Sequence, residues 1–291
     1  MIGTVIVPLD GSELSERALN IAEAIAGRTS SDLLIARVGR IGADEPEMEQ
    51  IRKYLKAIAS NVSGKVATFT DRGRPAQSII ELAHQHVDPI IVMSTHGRGG
   101  IHRWMTGSVA EEVVRGAGVP VLLVRGDQEI PSAEKIELRS ILLPVDGSRY
   151  SESAIDYAVE LARLFGSTLH LIRVVDTPSA YGMLSRHMET AATGDILDEI
   201  IDSMRDEANA YIDQLAERLS SEGVQVRKTV VEGFPGEQLI EHERRGFFQL
   251  VVMATAGRSG VSRVVFGSVA ERMLKLGRSP VMMVRPPDEI H

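Results

Sequence analysis

Short apolar runs alternate with amphipathic stretches along the whole chain. Residues 4–9 form a compact apolar run that ends in a turn, which predicts a strand buried on both faces. Residues 15–28 follow with Ala18, Leu19, Ala22, Ile25 and Ala26 on one helical face. Residues 33–38 predict a second strand, 48–60 a helix and 66–70 a third strand. Residues 75–86 predict a helix with Pro75 at a favoured first-turn position. A strand over 90–94, a helix over 109–115 and a strand over 120–124 complete the series. Strict β-α alternation predicts an α/β fold, an open five-stranded parallel sheet with helices on both faces.

The pattern then runs again, with strands near 140–145, 168–175, 225–231, 249–254 and 280–284. The residues repeat as well as the pattern. G-x9-G-S-V-A-E followed by P-V-x-x-V-R occurs within 97–125 and within 257–285. Val7-Pro8-Leu9-Asp10-Gly11-Ser12 is answered by Leu143-Pro144-Val145-Asp146-Gly147-Ser148. Such a repeat means two copies of one domain. Residues 1–125 are read as the first, 138–291 as the second, and the polar, Pro131-containing stretch 126–137 as a linker. Asp10 and Asp146 are 136 positions apart, whereas Gly97 and Gly257 are 160 apart. The second copy therefore carries an insertion near 176–199, beside the strand ends where open α/β sheets bind ligands. A lid, a partner surface and a solvated loop all fit it.

Composition narrows the chemistry. The 291 residues include no cysteine, which excludes disulfides, thiol catalysis and cysteine-bound metal. No apolar run is long enough to span a bilayer and no secretory signal opens the chain, so a cytoplasmic protein without membrane attachment is expected. A net charge of -8 argues against a nucleic-acid partner. A phosphate ligand would then need backbone N–H groups or nearby arginines. No G-x4-G-K-(S/T) loop is present, and no G-x-G-x-x-G opens the first helix. His84 and His86 stand two apart on a predicted helix and face different sides, so no metal ligand is assigned.

Gly107-Ser108-Val109-Ala110-Glu111 and Gly267-Ser268-Val269-Ala270-Glu271 open the predicted helices before each fifth strand. Ser followed three positions later by Glu reads as a capping box. The same turns also suit an anion, because helix N-termini offer unpaired N–H groups. The topology brings these turns to the sheet edge that holds Asp10 and Asp146. Asp-Gly-Ser itself reads either as a turn and cap or as an acceptor for a ligand hydroxyl. Arg98, Arg103, Arg258 and Arg263 sit on the preceding loops as solvated or phosphate-facing cations.

These residues resemble the nucleotide motif of the universal stress protein family, G-x2-G-x9-G-(S/T). The chain gives Ser94-x2-Gly97-x9-Gly107-Ser108 and Ala254-x2-Gly257-x9-Gly267-Ser268. It is similar to tandem members of the ATP-binding branch over both halves, with a Rossmann-like fold related to adenine nucleotide alpha hydrolases. The resemblance implies that Pro8, Asp10, Val38 and Met93 meet the adenosine end of ATP. Gly97, Arg98, Gly107, Ser108 and Val109 would hold its phosphates. In the second half it implies Pro144, Asp146, Val174 and Met253, with Gly257, Arg258, Gly267, Ser268 and Val269. It further implies ATP as ligand with Mg²⁺ as its companion, an intrachain pseudo-dimer, a homodimer and a regulatory protein partner. Pairing of the fifth strands is part of the same expectation. No residue is assigned as catalytic. A slow ATPase or phosphotransferase and a nucleotide-free interaction protein remain as alternatives.

Overall fold

The computed structural model describes residues 2–95, 107–125, 130–185, 193–256 and 267–286. The first half runs β1 (Thr4–Pro8), α1 (Glu13–Thr29), β2 (Asp32–Gly39), α2 (Glu45–Ala59), β3 (Val66–Arg72), α3 (Pro75–His84), β4 (Pro89–Ser94), α4 (Ser108–Gly116) and β5 (Val121–Val124). Its strands lie in the order β3-β2-β1-β4-β5, all parallel. Strand order reverses at β1, so the connections leaving the paired strands β1 and β4 diverge to opposite faces at the switch point of the sheet. α1 packs on β1 and β4, α2 on β2 and β3, and α3 on β2, β4 and α4. Right-handed crossovers place α1 and α2 on one face and α3 and α4 on the other.

The apolar runs are strands because both faces are covered. Val5, Ile6 and Val7 are fully buried, as are Ile90, Ile91 and Val92. β3, at the sheet edge, is mostly half-buried or exposed. α1 buries Ala18, Leu19, Ala22, Ile25 and Ala26 against this sheet, the face its spacing predicts. It stops at Ser30, which adopts a left-handed conformation with φ 56°.

The second half continues with β6 (Ser140–Pro144), α5 (Arg149–Glu152), α6 (Ile155–Phe165), β7 (Thr168–Val175), α7 (Thr177–Ser185), α8 (Thr193–Ser221), β8 (Gln225–Glu232), α9 (Pro235–Arg245), β9 (Leu250–Ala254), α10 (Ser268–Leu276) and β10 (Val281–Val284). β9-β6-β7-β8 form the parallel sheet of the second compact unit. The single helix predicted after the first strand is divided into α5 and α6. Both ends of the inserted stretch are helical. Asp176 starts α7 by accepting from the Ser179 N–H and hydroxyl, at 3.1 and 2.7 Å. α8 reaches 29 residues where its counterpart α2 has 15.

The last strand joins the first compact unit. β10 pairs antiparallel with β5, with Met282 opposite Leu122 and Val281 opposite Leu123. Every side chain of β5 and β10 is at most 4% exposed. The Arg285 guanidinium donates to the Arg115 carbonyl at 2.9 Å and fastens the end of β10 to α4. Residues 130–137 of the stretch read as a linker also lie on this unit. The Ile130 and Ile136 carbonyls accept from Asn20 and Arg28 of α1. No helix among the described residues is long and apolar enough to cross a membrane.

Candidate functional site

β1 ends at Pro8 and hands Asp10 to the carboxyl edge of its sheet. Gly11 follows with φ +83°, a conformation that side chains disfavour. Asp10 Oδ1 accepts the Ser12 N–H at 2.9 Å and the Ser12 hydroxyl at 2.6 Å. Ser12 Oγ in turn accepts the Ser15 N–H and caps α1. The Ser15 hydroxyl closes the ring by accepting from Asp10 N and donating to the Ser12 carbonyl. Asp146, Ser148 and Ser151 repeat this turn, with 2.9 and 2.6 Å at Asp146 Oδ1. The turn-and-cap role of Asp-Gly-Ser is thus present in both halves. Each aspartate is half-buried.

The predicted capping boxes do not form. Gly107 and Gly267 are the N-caps, Ser108 and Ser268 are the first helical residues, and neither helix start has a side-chain cap. A serine inside the helix cannot reach back over its own first turn. The two glutamates are also engaged elsewhere: Glu111 accepts from Arg115 at 2.7 Å, and Glu271 accepts from Lys275. The cap residues are held by backbone instead. Gly107 N donates to the Thr95 carbonyl at 2.6 Å, and Gly267 N to the Thr255 carbonyl at 2.9 Å. Each helix start is therefore tied to the chain leaving β4 or β9. α1, α2 and α5 differ, because Ser12, Asp44 and Ser148 cap them. Ser108 and Ser268 are exposed, and Val109 and Val269 half-buried, at these positive helix ends.

Pro8, Asp10, Val38, Met93 and Gly107–Val109 come to one edge of the first unit, because the carboxyl ends of parallel strands lie together. Val38 is half-buried as the penultimate residue of β2, and Met93 is 6% exposed near the end of β4. In the second unit Pro144, Asp146, Val174, Met253 and Gly267–Val269 stand likewise, with Met253 4% exposed. Gly97, Arg98, Gly257 and Arg258 lie outside the described residues, as do Arg103, Arg263, His96 and Trp104.

Sequence reasoning missed a second duplicated group behind each aspartate turn. The Arg37 guanidinium lies 4.7 Å from the centre of the Tyr54 ring, and Arg173 lies 4.9 Å from that of Tyr211. Tyr54 donates its hydroxyl to Glu16 at 2.7 Å, and Tyr211 to Glu152 at 3.0 Å. Burial first, then the neighbouring carboxylates, pushes both phenols far above their ordinary range. A signal was present: an arginine stands near the end of each largely apolar second strand, within LLIARVG and LHLIRVV. Arg173 also forms an ion pair with Glu207 at 3.0 Å. It also has an open cavity of about 340 Å³ beside the end of β8, lined by Tyr181, Asp202, Arg205 and Glu232 among others. Arg205 bridges Asp202 and Glu232 there, at 2.5 and 2.6 Å.

Comparison with known proteins matches these features to a family. The universal stress protein family model matches twice, over residues 1–125 and 137–285. A universal stress protein of Methanocaldococcus jannaschii is 30% identical over 149 residues, 51% of this chain and 83% of its own. One from Mycolicibacterium smegmatis is 29% identical over 246 residues, covering 82% of this chain and 76% of its own. The crystal structure of a universal stress protein from Archaeoglobus fulgidus superposes with a TM-score of 0.70 at 18% identity, covering 97% of this chain and 98% of that one. That likeness carries the fold, and the two model matches carry the tandem organisation. The duplicated aspartate turns and tethered glycine-serine helix starts are parts of two such domains, and the chain belongs to the universal stress protein family.

Proposed function

We propose that this chain is a cytoplasmic adenine-nucleotide-binding module, with ATP as the ligand, whose occupancy biases conformation or partner choice. The carrying observation is the pair of uncapped helix starts, Gly107-Ser108 and Gly267-Ser268, at the same sheet edge as Asp10 and Asp146. A phosphate fits a helix start with exposed serine and unpaired first-turn N–H groups. An ionised aspartate fits ribose hydroxyls, which donate. Val38 and Met93, with Val174 and Met253, supply the apolar wall for a base. Gly97, Arg98, Gly257 and Arg258 belong to the same reading as further phosphate contacts. Mg²⁺ enters with ATP, bound mainly by phosphates and water. Hydrolysis is slow on this reading, because Asp10 Oδ1 already accepts two hydrogen bonds and makes a poor general base. The two domains act as an intrachain pseudo-dimer, and two chains associate as a homodimer that meets a regulatory protein.

The test is nucleotide content. Freshly purified protein is denatured and its supernatant resolved by ion exchange, before and after saturation with Mg-ATP and desalting. One or two adenine nucleotides per chain support the reading. Their absence, together with a melting temperature unmoved by millimolar ATP, favours the nucleotide-free interaction protein. A bound ligand at a hundredfold excess over Kd adds about 2.7 kcal/mol per site.

A further inference from the structure

Four groups recur in both halves on elements that differ in length and sequence. They are an aspartate after the first strand, a glutamate from the next helix, an arginine near the end of the second strand, and a tyrosine from the helix beyond. Each arginine lies directly behind the glycine of the aspartate turn. A Cβ placed on Gly11 would stand 2.6 Å from Arg37 Nη1, and one on Gly147 3.0 Å from Arg173 Nη1. The guanidinium thus fills the space that any other residue's side chain would take. It also lies over the tyrosine ring, where cation–π attraction favours arginine. The tyrosine hydroxyl is anchored to Glu16 or Glu152 on the helix that the turn itself begins. The chain of contacts therefore leaves the turn, crosses two elements and returns to the turn's own helix.

We infer that Arg37 with Tyr54, and Arg173 with Tyr211, are positioning residues that hold the Asp10 and Asp146 turns in place to receive a ribose. This rests on the nucleotide-binding reading for its ligand. Three features favour positioning over general packing. The guanidinium touches the turn rather than the strand interior. The tyrosine stays a donor at every working pH, because its phenol is held protonated by burial and the adjacent carboxylates. Asp10 and Asp146 are themselves close enough to act on these phenols. The halves also differ. Glu207 pairs with Arg173 one helical turn before Tyr211, and Gln50 stands one turn before Tyr54.

The experiment uses the full chain and three double variants: Arg37→Met with Arg173→Met, Arg37→Lys with Arg173→Lys, and Tyr54→Phe with Tyr211→Phe. The last keeps the ring beneath the guanidinium and removes only the hydroxyl, so it remains informative if the methionine variant fails to fold. Two quantities are measured: amide exchange at 11–13 and 147–149 without ligand, and Kd for ATP against 2′,3′-dideoxy-ATP. The expected result is about tenfold faster exchange confined to the two turns. The preference for ATP over the dideoxy nucleotide should fall towards that of Asp10→Asn with Asp146→Asn, and the lysine variant should retain part of it. Equal weakening of both nucleotides, or exchange unchanged at the turns, overturns the inference. If the wild type binds neither nucleotide yet the turns still loosen, the nucleotide reading fails and the mounting of the turns stands.

Discussion

Phe248 meets the imidazole of His170 edge-on, with ring centroids 5.0 Å apart and planes at 79°. His242 of α9 stacks on the same phenyl ring at 5.6 Å and 26°. Arg227 lies opposite His170 on β8, and Arg245 lies near His242. Burial first, then these cations, lowers both imidazole pKa values below 6.5, with His242 itself adding to the effect on His170. The unfolded chain therefore binds more protons than the folded one between the lowered values and 6.5. The stability that these two histidines contribute is fully present above about pH 7.5 and is lost as pH falls through 6.5, levelling off below the folded-state values. Thermal melts of the wild type and His170→Leu from pH 8 to 5 check this. The variant, which carries the leucine of the first-half position Leu34, should lose part of the acid decline. Equal acid slopes would remove the histidine pair from the explanation.

Gly11 and Gly64 separate conformational strain from contact. Both have positive φ, +83° and +93°, but only Gly11 faces a guanidinium, and nothing lies within 4 Å of a Cβ on Gly64. Alanine at either position should cost about 1–2 kcal/mol for the left-handed conformation. Only Gly11→Ala should also shift Arg37 and weaken ATP binding. Denaturant melts paired with ATP titrations of the two variants read both effects.

Ser12 and Ser108 both precede or open helices, with opposite expectations. Ser12→Ala removes the cap of α1 and a partner of Asp10, and should cost about 1 kcal/mol. Ser108→Ala removes no cap, so its stability should stay within about 0.5 kcal/mol of wild type. On the nucleotide reading its Kd for ATP at the first site should rise about tenfold, the size of one lost charge-assisted hydrogen bond. A large stability loss in Ser108→Ala would restore the capping role.

Leu122 and Met282 are cross-strand partners, each fully buried. Alanine at either position should destabilise the first unit by about 2–5 kcal/mol. Because they touch the same space, the double variant should cost less than the sum. Amide exchange in β1 and β4 of Met282→Ala should rise alongside that of β5. Unchanged protection there would mean that β10 contributes little to the first unit.

Much of this was legible from residue pattern. The short apolar runs around Val5–Val7 and Ile90–Val92, alternating with the helical stretches between them, were read as strands buried on both faces, and the repeated Asp-Gly-Ser located both first turns. In the first half the helix starts were placed within three residues. Their caps were misread, because Ser-x-x-Glu matches a capping box whether the serine precedes the helix or begins it. The deciding contacts, Gly107 N to the Thr95 carbonyl and Glu111 to Arg115, are backbone geometry and a competing ion pair. Arg37 and Arg173 escaped because an arginine in a strand looks like surface until the helix beyond supplies Tyr54 or Tyr211. The partner lies 17 residues downstream in one half and 38 in the other. The insertion that changes this spacing hides the equivalence from any fixed period.

The placement of β10 sets an order on synthesis. β5 is complete by residue 124, and its antiparallel partner begins at residue 281. Emerging from a ribosome at about 5–20 residues per second, the chain leaves the β5 edge uncovered for roughly ten to thirty seconds. A product terminated anywhere before β10 carries that apolar edge permanently. The first compact unit therefore reaches its finished surface only after β10 has been made, more than 150 residues behind the strand that it covers.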